Sequence, residues 1–133
     1  MNNINYIKAY SNKIIINDNE VINQNINMYL NNILIHQLTT VYGRVDAIKN
    51  LYGYKKLVPI FINSQLILFP ISNLKEYENI YINACNITRI TENKSNTIIE
   101  FIGNKKIYIK KSYLQINKYY QRAISINHNS WFF

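Results

Sequence analysis

One cysteine, two prolines and three glycines stand among 133 residues, and each scarcity excludes something. Cys85 has no second cysteine to bridge, which removes disulfide frameworks and cysteine-rich zinc modules and points to a reducing, intracellular setting. Three glycines leave no glycine-rich phosphate loop. Without a proline-, glycine- or serine-rich linker, and with no internal repeat at solenoid periods, the chain reads as one domain over residues 1–133, long enough to bury its own core. Long apolar runs are also missing. The best, LVPIFINSQLILFPI, is broken by Asn63, Ser64 and Gln65, too soon for a membrane span. The opening MNNINYIKAYSNK has asparagine where a signal peptide needs an apolar centre. A soluble, untargeted, cytoplasmic protein is expected, with no membrane as partner.

Carboxylates are few as well: Asp18, Asp46 and five glutamates, in no catalytic spacing. His36, His128 and Cys85 form no metal-ligand pattern. Cys85 falls in a strand candidate and reads as a small buried hydrophobe. The reading is of a non-enzyme without metal or cofactor.

What the chain does have is positive charge. The net charge is +8 and the isoelectric point about 9.5, which favours a polyanionic partner. Isoleucine, asparagine, lysine and tyrosine dominate together, as AT-rich coding would produce, so the distribution says more than the total. In residues 1–40, Lys8 and Lys13 balance Asp18 and Glu20. Residues 41–60 carry +3, residues 61–100 carry −1, and residues 101–133 carry +6 with no acid at all. Codon bias would not remove glutamate from one third of a chain. Two basic blocks therefore become candidate contact surfaces.

Local patterns predict an α+β domain of short, mostly antiparallel strands, one mid-chain helix and one carboxy-terminal helix. KAYSNKIIIN reads as a hairpin turning at Ser11-Asn12, and NMYLNNILIHQL as two short strands about Asn31-Asn32. From Val41, apolar residues recur at helical spacing through Val45, Ile48 and Tyr52, with Thr39 and Thr40 as caps and Gly53 as the stop. LVPIFI and QLILFPI form a hairpin about Asn63-Ser64, with Pro59 and Pro70 at strand ends. IYINACNITRI, NTIIEFI and KKIYIK add strands, turning at ENKSN and at Gly103-Asn104.

The terminal helix starts at Ser112. Tyr113, Ile116, Tyr120, Ala123 and Ile124 make its apolar face, and Lys111, Gln115, Lys118, Arg122 and Ser125 its opposite side. Such a stripe is often merely solvated, but this one pairs no lysine with glutamate at i,i+4.

The order of motifs resembles the ComK competence transcription factor family. The residues that carry the likeness are Tyr42-Gly43-Arg44, Lys56-Leu57-Val58-Pro59-Ile60, Leu68-Phe69-Pro70-Ile71-Ser72, the Thr97 to Phe101 strand with Gly103-Asn104-Lys105 after it, Ser112 and Arg122. It spans about Leu38 to Ile126. Tyr81-Ile82-Asn83 stands where the family has Trp-Ile-Ser, and the family's Asn-Gly turn is inverted. The longer carboxy-terminal tail of some members shrinks here to INHNSWFF.

The resemblance implies a transcription activator of DNA-uptake genes that binds AT-rich duplex largely through the minor groove. It would bind as a homodimer or higher oligomer on paired half-sites, with RNA polymerase as a further partner. Narrow A-tract grooves are strongly negative and attract inserted arginine. Arg44 and Arg122 rank first as groove readers, because guanidinium sheds water more readily than ammonium. Lys49, Lys55, Lys56, Lys105, Lys106, Lys111 and Lys118 are candidates for phosphate contact. The bland reading makes each a solubilising charge and pairs Arg44 with Asp46. Two alternatives stay open: a LytTR-like DNA-binding domain built on Asn96 to Ile126, and a basic protein- or membrane-binding module anchored by Trp131-Phe132-Phe133.

Overall fold

The computed structural model describes residues 3–72 and 79–129, with side chains up to Ile126. Two antiparallel sheets and three α-helices build it. The first sheet runs β3-β2-β1-β6-β5-β4, from β1 (Tyr6–Ala9), β2 (Ile14–Ile16), β3 (Glu20–Ile22), β4 (Ile60–Asn63), β5 (Leu66–Pro70) and β6 (Asn79–Asn83). The second runs β7-β8-β9, from β7 (Ile87–Asn93), β8 (Asn96–Phe101) and β9 (Lys105–Ile109). The helices are α1 (Ile26–Leu34), α2 (Val41–Tyr52) and α3 (Tyr113–Asn129).

Strand alternation assigns each face of the first sheet to a different partner. Ile7, Ile14, Ile16, Leu66 and Leu68 pack with Leu30 and Leu34 of α1 and Val41 of α2. On the other face, Tyr6, Ile67, Phe69 and Ile82 meet the inner face of the second sheet, Ile99, Phe101, Ile107 and Ile109, and Ile116 and Ala123 of α3. Strand β5 is consequently buried along its whole length, which explains the unbroken apolar LILFP.

The expected α+β class holds, with one helix more than expected. NMYLNNILIHQL forms α1 and a short 3₁₀ turn at Ile35–Gln37, not two strands about Asn31-Asn32. The physical reason is in the residues. Ile26, Tyr29, Leu30, Ile33 and Leu34 recur at helical spacing, and Asn25 caps the helix by accepting the Met28 N–H at 2.8 Å. Asn31, expected in a turn, accepts the Val41 N–H at 2.8 Å instead and ties α1 to the start of α2.

Other expectations shift by less. The hairpin between β4 and β5 turns at Ser64-Gln65, one residue later than expected, because Asn63 remains in β4 and accepts the Gln65 N–H at 2.8 Å. IYINACNITRI splits: β6 ends at Asn83, a 3₁₀ turn covers Ala84–Asn86, and β7 joins the other sheet. Helix α2 starts and stops as predicted. Thr40 Oγ1 accepts the Gly43 N–H at 3.0 Å, and Gly53 ends the helix at φ 75°. A Cβ at Gly43 would lie 3.0 Å from Thr39 Oγ1 and 3.4 Å from the capping Thr40 Oγ1, so a larger residue there would crowd the Thr39 hydroxyl. Ser112 caps α3, its Oγ accepting the Gln115 N–H at 3.3 Å. Trp131-Phe132-Phe133 lies outside the described residues.

Asn83 is the polar pin at the end of β6, where the chain leaves the first sheet. It is 1% exposed, donates to the carbonyls of Ile4 at 2.7 Å and Gln65 at 3.1 Å, and accepts the N–H groups of Ile67 and Cys85, both at 3.1 Å. Removing it strands buried backbone groups. Asn83→Ala is expected to cost about 3 kcal/mol in urea denaturation. Asn86→Ala, from a half-buried amide, should cost visibly less.

A second prediction concerns pH. Hydrogen bonds from Lys8, 2.8 Å away, and from the Tyr6 hydroxyl hold the Asp18 carboxyl below its ordinary range. A depressed carboxylate stabilises the fold above its unfolded pKa, and that contribution is lost as pH falls through the folded value. Wild type should therefore exceed Asp18→Asn in urea midpoint at neutral pH, and the gap should close well below pH ~3.9.

Candidate nucleic-acid interface

Residues from both basic blocks meet at a small apolar cluster. Ile48 of α2, Val58 of the loop before β4 and Ile126 of α3 are buried together, with Val45, Tyr52, Tyr54 and Phe61 packed around them. The two highest-ranked arginines rest on aromatic rings of this cluster. Arg44 lies over Phe61, 5.3 Å from the ring centroid, and Arg122 over Tyr54 at 4.6 Å. Both are cation–π distances.

Further bonds fix each arginine. Arg44 donates to Gln37 Oε1, and Gln37 donates to the Ile62 carbonyl at 3.1 Å. Burial pulls the Arg44 guanidinium below its ordinary pKa, yet an arginine stays charged at any physiological pH. Arg122 Nη1 donates to the Lys56 carbonyl at 3.3 Å, a contact between residues 66 apart in the chain. Beside it, Ser125 Oγ lies 3.5 Å from the Tyr54 hydroxyl and donates to the Arg122 carbonyl at 2.9 Å. Arg122 is thus a clasp between α3 and the loop that carries Lys55 and Lys56. Both arginines are half-buried, so each keeps part of its five-donor fork outward.

The lysines divide by location. Lys49 of α2 and Lys55 and Lys56 of the loop are exposed and line one cleft. Exposed Lys118 lies one helical turn before Arg122 on α3. Lys105 and Lys106 open β9 on the second sheet, where Lys106 stands in register with Glu100, which pairs with Arg89 at 2.9 Å. Lys111 precedes α3, and its carbonyl accepts the Thr97 hydroxyl at 2.7 Å. The structure therefore gathers Arg44, Lys49, Lys55, Lys56, Lys118 and Arg122 around three adjoining elements. It sets Lys105, Lys106 and Lys111 on the second sheet and its exit.

None of the nine is neutralised by an acid among the described residues, whose ion pairs are Lys8–Asp18 and Arg89–Glu100. Arg44 does not pair with Asp46, which instead accepts Asn50 Nδ2 at 3.4 Å. Sequence reasoning missed Tyr54, Phe61 and Gln37, the groups that hold the arginines. Only Tyr54 carried a signal, an aromatic placed directly after the helix-stopping Gly53.

The Cys85 thiol donates to the Ser64 carbonyl at 3.5 Å, and burial pushes its pKa up, away from the reactive thiolate. No cluster of three or more His, Cys, Asp or Glu forms among the described residues. No helix among them is long and apolar enough to cross a membrane.

No curated protein and no solved structure gives a match to the chain. A family model described as ComK protein covers residues 2–130, essentially its whole length. On that match, carried by an α+β fold that holds the expected motifs, the chain belongs to the ComK family of competence transcription factors.

Proposed function

We propose that the protein regulates DNA-uptake genes by gripping AT-rich duplex with the flank formed by α2, the loop at residues 53–58 and α3. The observation that carries this is the convergence of Arg44 and Arg122 on the Ile48–Val58–Ile126 cluster, with Lys49, Lys55, Lys56 and Lys118 beside them and paired to no acid among the described residues. Phosphate neutralisation by the lysines supplies most of the affinity, and the arginines seek the narrow, negative minor groove of A-tracts. Lys105, Lys106 and Lys111 extend the charged surface to the second sheet. A homodimer on paired half-sites, contact with RNA polymerase and a cytoplasmic setting are parts of the proposal supported by family membership.

Binding to AT-rich duplex is expected to weaken with salt by about 0.9 log units per log unit of salt for each phosphate neutralised. A Lys49→Gln/Lys55→Gln/Lys56→Gln triple variant should flatten that slope by roughly 2.7, if every lysine meets one phosphate. Minor-groove drugs should compete better than major-groove methylation. A slope near zero, or indifference to groove blockers, contradicts the reading.

The clasp makes its own prediction. Tyr54→Ala leaves the charge unchanged but removes the ring beneath Arg122, and is expected to weaken duplex binding about tenfold. Tyr54→Phe keeps the ring and should bind close to wild type, as read by fluorescence anisotropy.

A further inference from the structure

Beside the clasp opens a cleft of about 600 Å3. It lies between α2, the 53–58 loop, the β1–β2 turn, the first turn of α1 and the end of β5 with the start of β6, where Pro70, Ser72, Asn79 and Tyr81 line it. Lys49, Lys55 and Lys56 line it, and no described lining residue carries a carboxylate. Its floor is apolar, from Val45, Val58 and Ile60, and Tyr10 and Tyr81 bring aromatic rings to the wall. The volume falls in the range of small-molecule sites, about 300–1,000 Å3.

We propose that this cleft binds a nucleoside diphosphate or a closely similar organic phosphate. The three ammonium groups take the phosphates, and the apolar floor and tyrosine wall take the nucleoside. Duplex backbone offers the same phosphate chemistry, but a rod of phosphates reaches only the rim and leaves the apolar depth unfilled. A ligand with a ring attached to its phosphates uses both parts.

The site is also pre-shaped, which lowers the ordering cost of binding. Val58 is buried with Ile48 and Ile126, Leu57 holds φ 52°, and Arg122 bonds the Lys56 carbonyl. Those constraints set the lysine-bearing rim independently of any ligand. Because the same three lysines belong to the proposed DNA surface, ligand and duplex compete, and linkage makes the effect reciprocal. That consequence rests on the DNA reading; the site itself does not.

The test is isothermal titration calorimetry of the full chain with ADP, pyrophosphate and adenosine as probes. ADP is expected to bind about tenfold or more tighter than pyrophosphate, and adenosine weakest, because only ADP fills both parts of the cleft. The Lys49→Gln/Lys55→Gln/Lys56→Gln variant should lose ADP binding, while Lys105→Gln/Lys106→Gln should keep it. Absence of ADP binding overturns the proposal, as does pyrophosphate binding as tightly as ADP or an unaffected triple variant. Anisotropy on labelled AT-rich duplex, with and without saturating ADP, reads the competition. Intact ADP binding by a protein that never binds duplex supports the site and sinks the DNA reading alone.

Discussion

Burial of Ile48, Val58 and Ile126 against one another is the constraint on which the placement of the clasp and its neighbouring cations depends. These residues come from α2, from the loop before β4 and from α3, so nothing in local sequence holds them together. Each aliphatic side chain buried this way contributes on the order of 1.5–3 kcal/mol, enough to dock the far end of a long helix. Once docked, that end brings Arg122 over Tyr54 and within reach of the Lys56 carbonyl. The apolar contact and the placement of charge are one event. A helix with the same basic stripe but no such seat would present its cations to solvent alone.

Holding cations in place without neutralising them has a cost that acids would normally relieve. Here aromatic rings, a glutamine and a backbone carbonyl do the holding, and none of them cancels charge. Quadrupole and dipole contacts orient a guanidinium while leaving its field intact. On the proposed reading that is the property a nucleic-acid surface needs, since a paired arginine would have to break its bond before meeting phosphate. Among the described residues, the acids that form ion pairs, Asp18 and Glu100, sit on the β2–β3 turn and on β8. They anchor structure away from the clasp.

Much of the fold was legible because its signals are local. Thr40 and Gly53 bounded α2, Ser112 opened α3, and the Gly103-Asn104 turn joined β8 to β9. The error over α1 came from weighing asparagine as a turn residue, when Asn25 is a cap and Asn31 bonds a neighbouring helix. Ile26, Leu30 and Leu34 already carried the helical period. The split of β6 from β7 was not legible, because Asn83 does its work through contacts as distant as Ile4. At the site, the sequence showed which cations lack acids but not which of them adjoin. Arg122 and Lys56 are 66 residues apart, and such pairings follow from tertiary packing that no local window contains.

The central claim is that cations of two separate blocks form one duplex-binding flank. Lysine acetylation footprinting by mass spectrometry, with and without saturating AT-rich duplex, tests it most directly. The account predicts joint protection of Lys49, Lys55, Lys56 and Lys118, while Lys94, in the β7–β8 turn of the second sheet, stays reactive. Protection spread evenly over all lysines, or confined to Lys94, would contradict it.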